Sequence, residues 1–215
     1  MKIPESIVPL VQPPRAALLV IDVQKDFVTA PMQPMLRALA ELLARARDAG
    51  VMIVYVQNFV MKNGQSHTPA ERTRRGKLGL PMEVTVDGTP GQEFVDEIAP
   101  QAGEPVVRKL RLNAFHGTHL ETLLRAHNIE TVLITGVATH GCVTGTSYAA
   151  QARDFTVVVI DDCVATWSDE LHESALRVLG GTMTAVIDSS TLAECWTRPQ
   201  EAERRADVQA AVRVR

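Results

Sequence analysis

Short apolar runs alternate with helical patterns along this chain. The runs are rich in Val, Ile and Leu and occupy residues 16–22, 51–56, 106–109, 131–136, 155–160 and 183–187. After the first run, apolar residues from Met35 to Ala46 recur every three or four positions, and Gly50 follows as a stop signal. The alternation predicts six strands separated by helices.

Two of the later helices have start or stop signals, and two others follow from composition and position alone. Thr118-His119-Leu120-Glu121 has the form of a capping box and predicts a helix that opens at Thr118. Residues 142–153 are rich in small residues and predict a second helix. Ser168 is expected to cap a third, which Gly180-Gly181 ends, and a last helix follows the final strand.

The predicted strands are apolar on both faces. Parallel strands covered by helices on both sides have this pattern, and strands that alternate with helices build a doubly wound sheet. A length of 215 residues suits one domain. We therefore predict a single-domain, doubly wound α/β fold over residues 1–197, with a parallel sheet and helices on both faces. The polar residues 198–215 are interpreted as a C-terminal tail, either a surface helix or an arm that reaches a partner subunit.

Residues 58–104 do not follow the alternation of predicted strands and helices. The segment has many Gly and Pro residues and little periodicity. A connection this long is usually functional, for example a lid or a binding loop. The alternative is a solvated surface excursion with a short helix near residues 94–98.

Composition and charge exclude several classes of protein. Lys and Arg total 22 against 25 Asp and Glu, so the net charge of −3 provides no positive field for nucleic acid or an anionic membrane. No apolar run approaches the roughly 18 residues of a membrane helix. The three cysteines are an odd number with no CxxC pair, which favours a reducing compartment. With a poor signal peptide at the N-terminus, these features predict a cytoplasmic protein.

Three residues with useful chemistry stand at predicted strand ends, where open parallel sheets bind ligands. Asp22 follows the first strand and either caps a turn or acts as a general base. Lys109 ends the third strand and is either a solvated lysine or a buried partner of Asp22.

Cys142 follows the fourth strand and a glycine-containing turn, at the expected start of a helix. It is either a small buried apolar residue or a nucleophile. At a helix start, the dipole and the N–H groups are expected to lower the thiol pKa and to form an anion hole. His140, two residues before the thiol, is an alternative base, although residues this close in sequence rarely face each other across a turn. Cys163 and Cys195 are interpreted as packing residues.

No metal or nucleotide signature is present in the sequence. His116 and His119 are three residues apart and His127 follows, but no carboxylate or cysteine completes a zinc pattern. Neither GxGxxG nor GxxxxGK[ST] occurs. We therefore expect no metal and no cofactor.

The chain resembles the isochorismatase-like cysteine hydrolases, a superfamily that includes N-carbamoylsarcosine, biuret and ureidoacrylate amidohydrolases, nicotinamidase and isochorismatase. The resemblance spans most of residues 15–190, and the matching stretches are LLVIDVQKDF at 18–27, GTPGQEF at 88–94, EPVVRKLRLNAFHGTHLETLL at 104–124, TVLITGVATHGCV at 131–143 and VVVIDDCVAT at 157–166.

The resemblance implies a six-stranded parallel sheet and a catalytic triad of Asp22, Lys109 and Cys142. It also implies a cis peptide bond between Val137 and Ala138, with the backbone N–H groups of Ala138 and Cys142 as the oxyanion hole. The family is commonly oligomeric, so a homo-oligomer, a dimer or a tetramer, is expected. The neighbourhood of the triad makes Gln24, Phe27, Asn113 and Phe115 candidate substrate-binding residues.

Differences from the family pattern narrow the expected reaction. Nicotinamidases carry an Asp-x-His plus His metal site after the second strand, where this chain has Gln57-Asn58-Phe59-Val60 and only His67. Isochorismatases proper lack the cysteine. The expected function is therefore thiol-dependent cleavage of a C–N bond in a small-molecule amide, ureido or carbamoyl compound through a Cys142 acyl-enzyme. Vinyl-ether hydrolysis and a non-catalytic or redox-sensing binding protein on the same fold remain alternatives.

Overall fold

The computed structural model describes residues 5–197, so the predicted tail at 198–215 lies outside the described residues. Six strands form one parallel sheet in the order β3-β2-β1-β4-β5-β6. The strands are β1 (Ala16–Ile21), β2 (Met52–Asn58), β3 (Val106–Lys109), β4 (Thr131–Val137), β5 (Thr156–Ala165) and β6 (Ala185–Ile187). The helices are α1 (Gln33–Ala49), α2 (Pro69–Leu78), α3 (Leu120–Ala126), α4 (Thr144–Gln151), α5 (Asp169–Gly180) and α6 (residues 189–197).

Helices cover both faces of the sheet, as the apolar strands predict. On one face, α1 and α6 pack on alternate side chains of the central strands, with Leu39 and Trp196 in the same buried cluster. On the other face, α3, α4 and α5 contribute Leu120, Ala150 and Leu179 to a second cluster. Every residue of β1 and β4 is buried, which confirms the prediction of a doubly wound α/β fold. None of the helices in residues 5–197 is long and apolar enough to cross a membrane.

Several predicted boundaries are wrong by a few residues. The Thr118 hydroxyl accepts a hydrogen bond from Leu120 N, but α3 begins at Leu120 with His119 at the N-cap and has no capping box. A π-helical turn over Thr139–Val143 precedes α4, so the helix predicted at 142–153 begins later. The Ser168 cap is confirmed, since its hydroxyl accepts a hydrogen bond from Leu171 N at 3.3 Å.

The segment at 58–104 contains a helix that the apolar periodicity did not predict. None of the residues of α2 is buried, so the helix lacks the apolar stripe on which such predictions depend. A polar signal does mark its start, because Thr68 accepts a hydrogen bond from Glu71 N and Pro69 occupies the first turn. Near residues 94–98 the structure has only a 3₁₀ turn at Asp96–Ile98.

The strand order reverses between β1 and β4. The chain leaves β1 toward β2 on one side and leaves β4 toward β5 on the other, so the two connections diverge and open a crevice at the carboxyl edge of the sheet. Gly136 keeps β1 and β4 close together there: its φ is +110° and a Cβ would lie 2.0 Å from the carbonyl oxygen of Ile21. The residues that follow β1 and β4 therefore meet at this point.

Candidate active site

Asp22 is the first residue after β1 and lies at this crevice. Its φ of 54° belongs to the left-handed region, which Asp tolerates better than most residues, and its N–H donates to the carbonyl of Val56. The side chain is 0% exposed. The left-handed turn at the strand end thus places the carboxylate beneath the surface of the crevice.

Lys109 reaches the same position from the end of β3. It is 1% exposed, and its Nζ lies 2.6 Å from Asp22 Oδ2. The ammonium also donates to the carbonyl of Arg111 at 3.0 Å and to Cys142 Sγ at 3.3 Å. One buried cation therefore connects two side chains that are 120 positions apart in sequence, Asp22 and Cys142.

The close contact between Lys109 and Asp22 is an ion pair. Within residues 5–197 neither carboxylate oxygen of Asp22 receives a hydrogen bond of good geometry, despite the 2.6 Å separation from Nζ. The Lys109 ammonium thus holds the carboxylate mainly by charge, and the Cys142 thiol is a neighbouring donor whose interaction with Asp22 lowers the pKa of the carboxyl group.

Cys142 lies inside the π-helical turn Thr139–Val143, between β4 and α4. Side-chain bonds fix this turn: Thr144 Oγ1 donates to the carbonyl of Thr139, and Thr139 Oγ1 lies 2.9 Å from His172 Nδ1 on α5. Single π-helical turns frequently occur at functional sites. The turn brings the thiol to the Lys109 ammonium, so the structure brings all three predicted triad residues together.

Burial sets the protonation of the thiol. Desolvation raises the pKa of Cys142 to about 12, and the nearby Asp22 carboxylate acts in the same direction against Lys109. The expectation that the helix start lowers the thiol pKa is therefore wrong, because the cost of a buried thiolate exceeds the stabilising effects. At neutral pH the resting thiol is protonated.

The pKa values of Asp22 and Lys109 are shifted in directions that suit a charged pair. Burial raises the pKa of Asp22 above its usual value, although Lys109 opposes the shift. Burial pulls the pKa of Lys109 down, but Asp22 and Cys142 outweigh that effect and raise it. Lys109 thus stays cationic, while the Asp22 carboxylate is a stronger base than an exposed one.

The loop before Cys142 contains the expected cis peptide bond. The bond between Val137 and Ala138 is cis in the structure. The carbonyl of Ala138 accepts hydrogen bonds from Gly141 N at 2.9 Å and Val143 N at 3.2 Å, which closes the turn around Cys142. The turn therefore packs the predicted oxyanion donors, the N–H groups of Ala138 and Cys142, into one short stretch.

Two of the four predicted substrate-binding residues, Gln24 and Phe115, point into the interior of the protein. Gln24 is 0% exposed, and its amide bonds to the backbone of Asn58 and Gln92. It holds β2 and the 58–104 segment together instead of facing a ligand. Phe115 is buried in the core, where its ring lies 5.8 Å from that of Phe155. The direction of both side chains depends on packing that sequence proximity does not reveal, and substrate binding by either one stays a prediction.

The other two predicted residues lie nearer the surface. Phe27 is partly buried, and its ring lies 6.0 Å from that of Trp167, whose Nε1 donates to the Phe27 carbonyl. Asn113 lines a cleft beside the triad, and its Oδ1 accepts a hydrogen bond from Phe115 N at 2.7 Å. Of the four, Asn113 is the one that lines this cleft.

The histidines and cysteines outside the triad have other contacts. His140 Nδ1 lies 2.8 Å from Thr166 Oγ1, and His67 Nε2 lies 2.8 Å from the carbonyl of Met82. Cys163 and Cys195 are each 0% exposed. Across the part of the chain that the structure describes, no three His, Cys, Asp or Glu side chains are grouped to hold a metal ion.

The cleft has a volume of about 360 Å³ and extends from the end of β2 to α2. Arg74 and Arg75 come from α2, and Arg111 follows β3 directly after the Lys109 strand end. Sequence reasoning did not identify these arginines as site residues. The capping signal at Thr68 could have located α2, but only the folded chain shows that this helix lies over the carboxyl edge of the sheet.

Comparison with known proteins agrees with this geometry. The Isochorismatase domain family model matches residues 16–191. Maleamate amidohydrolase of Pseudomonas putida is 32% identical over 169 residues, which cover 75% of this chain and 78% of the relative. Ureidoacrylate amidohydrolase RutB of Methylorubrum extorquens is 28% identical over 183 residues, 74% of each chain. The crystal structure of an isochorismatase family protein from Desulfovibrio vulgaris has a TM-score of 0.75 at 30% identity and covers 84% of this chain and 97% of that one.

The fold and the site define a parallel α/β hydrolase with its candidate centre at the switch in strand order. More specifically, the chain belongs to the isochorismatase family. The resemblance seen in the sequence motifs is confirmed, and the chain is a hydrolase whose relatives carry the names of amidohydrolases.

Proposed function

We propose that this protein hydrolyses a C–N bond of a small amide, ureido or carbamoyl compound through an acyl-enzyme on Cys142. The observation that carries the proposal is the contact among Asp22, Lys109 and Cys142, with Nζ at 2.6 Å from Oδ2 and 3.3 Å from Sγ. Two relatives are named maleamate amidohydrolase and ureidoacrylate amidohydrolase, and these names support cleavage of an amide C–N bond.

In the first half-reaction the Asp22 carboxylate takes the thiol proton as Cys142 Sγ bonds to the substrate carbonyl carbon. Transfer is coupled to attack because burial raises the thiol pKa to about 12, so little free thiolate exists beforehand. The N–H groups of Ala138 and Cys142 stabilise the oxyanion. Asp22 then gives its proton to the leaving nitrogen, and the C–N bond breaks to leave a thioester.

In the second half-reaction a water molecule attacks the thioester carbon, and Asp22 takes a proton from that water. The C–S bond breaks, the thiolate regains the proton from Asp22, and the acid is released. Lys109 keeps its charge throughout and balances the negative charge that moves between Asp22 and Cys142. The proposal includes neither metal nor cofactor; it includes a small-molecule substrate, a cytoplasmic location and a homo-oligomeric state.

Replacement of the nucleophile tests the mechanism. After an ammonia-release screen over small amides, ureides and carbamoyl compounds supplies a substrate, we expect Cys142→Ser to lose about 10³-fold or more in kcat, because a serine hydroxyl lacks a strong enough base here. Cys163→Ala, which removes a thiol from the core, is the matched control and keeps most of its turnover. Denatured wild-type enzyme quenched during turnover is expected to carry the acyl mass on the peptide that contains Cys142.

Retained turnover in Cys142→Ala would contradict the thiol mechanism. Turnover of a vinyl ether by the same variant would favour the ether-hydrolysis alternative, which needs no nucleophilic cysteine.

A further inference from the structure

The cleft beside the triad is strongly cationic, although the whole chain has a net charge of −3. Arg74, Arg75 and Arg111 line it, and the carboxylate of Glu71 is the acidic group among its lining residues. Three guanidinium groups against one carboxylate leave an excess of positive charge in a concave site. Such a site focuses its field on an anionic ligand.

Glu71 orders two of these arginines. Its carboxylate accepts a bidentate pair of hydrogen bonds from Arg74, at 3.0 Å and 2.8 Å, and another from Arg75 Nε at 2.8 Å. These bonds use only two of the five N–H donors of the Arg74 guanidinium. Glu71 therefore acts as a positioning residue that fixes the guanidinium groups without neutralising the site.

The cleft borders the residues that hold Lys109, although no triad residue lines it. Asn58 and Arg111 line it, and they are respectively the sheet partner of Lys109 and the residue whose carbonyl receives the Lys109 ammonium. Hydrogen bonding to Glu71 is the main effect that raises the pKa of Arg74. One ligand in the cleft can thus approach both Arg74 and the crevice that holds the triad.

We infer that the cleft selects small amides whose far end carries a carboxylate, with Arg74 as the residue that binds this carboxylate. The inference rests on the proposed function and names its substrate class. Guanidinium groups bind carboxylates in a planar, bidentate geometry, which fixes the orientation of the ligand as well as its charge. With the carboxylate held at α2, the amide end of a short molecule is directed toward Cys142.

A matched pair of substrates tests the inference. Succinamate and butanamide have the same amide end and chain length and differ in the terminal carboxylate. We expect wild-type kcat/KM to favour succinamate, and Arg74→Gln to reduce this preference about 10-fold to 100-fold, because a charge-assisted contact is lost. Arg74→Lys is expected to restore part of the preference, since it keeps the charge without the planar fork. Arg37→Gln, an exposed position on α1, removes the same charge outside the cleft and is the control.

Binding provides a second readout that needs no turnover. Calorimetry on Cys142→Ala is expected to show tighter binding of succinamate than of butanamide, and Arg111→Gln, on a different element from α2, is expected to weaken it. Hydrolysis of both amides without charge preference would overturn the inference and leave the proposed function standing. Charge-selective binding by wild-type enzyme without any hydrolysis would contradict the proposed function and support carboxylate recognition. Equal binding of the two ligands would also overturn the inference.

Discussion

At the scale of single residues, the ion pair between Asp22 and Lys109 dominates the site. Their exposed fractions are 0% and 1%, so both charges are removed from water. Breaking such a pair by removing one partner typically costs about 3–5 kcal/mol, whereas removing both can be nearly neutral. Because burying two charges costs desolvation free energy, the pair is consistent with a role in catalysis rather than in stability.

We expect Asp22→Asn and Lys109→Met each to abolish turnover and to lower the free energy of unfolding. Asn cannot accept the thiol proton, and without Lys109 the desolvated carboxylate takes up a proton and ceases to be a base. The double variant should be no worse than either single variant in kcat and more stable than both, because it leaves no unpaired buried charge.

Urea unfolding and kcat measured on the three variants and the wild type complete this double-mutant cycle. Near-normal kcat in Asp22→Asn would end its assignment as general base. Additive losses of stability would show that the two charges do not interact.

At the scale of elements, α2 has the weakest attachment to the core among α1 to α5. It has no buried residue, whereas α1 buries six, so the stability of α2 depends on its own caps and ion pairs. Thr68 caps its first turn through Glu71 N, and Glu71 in turn orders Arg74 and Arg75. The same residues therefore hold the helix and shape the cleft.

Thr68→Ala is expected to destabilise α2 locally by about 1 kcal/mol, the typical cost of losing an N-cap. Hydrogen exchange followed by mass spectrometry should show about fivefold faster exchange in residues 69–78 with no change in β1 and β4, because local opening does not require global unfolding. Ser168→Ala removes an equivalent cap from α5 and is the control, with faster exchange expected in α5. If Thr68→Ala accelerates exchange in the central strands, α2 is not a separate unit.

At the scale of the whole molecule, buried thiol and phenol groups make stability depend on alkaline pH. Burial raises the pKa of Cys142 and of Tyr55 to about 12 and raises that of Cys163. A group with a raised folded-state pKa contributes stability that is fully present below its unfolded pKa. That contribution is lost as the pH rises through the folded pKa, because the unfolded chain releases the proton first.

We therefore expect the free energy of unfolding to fall between pH 9 and pH 12, with Cys142 contributing at most about 1.4 kcal/mol per pH unit. Urea unfolding at several pH values, with a reductant present, measures the slope. Cys142→Ser lacks a titrating group and should show a shallower slope, while Tyr55 and Cys163 maintain the remainder. Identical slopes in the variant and the wild type would mean that the thiol is not desolvated.

The pattern of the chain determined the architecture and the identity of the candidate site residues. The run at residues 16–21 is apolar at every position, and burial on both faces is a property that a strand carries in its own sequence. Because parallel strands place their carboxyl ends at one edge, Asp22, Lys109 and Cys142 could be expected near one another before any distance was known.

Only the tertiary structure decided how these residues are charged and what surrounds them. Desolvation and the Asp22 carboxylate raise the pKa of the Cys142 thiol, and both effects come from neighbours that only the folded chain brings together. Packing turns the side chains of Gln24 and Phe115 into the interior. Helix α2 places Arg74 in the cleft, although the helix has no apolar stripe from which its position could be predicted. Local sequence encodes burial and strand ends, whereas the direction of a side chain and the field it experiences arise from contacts between distant segments.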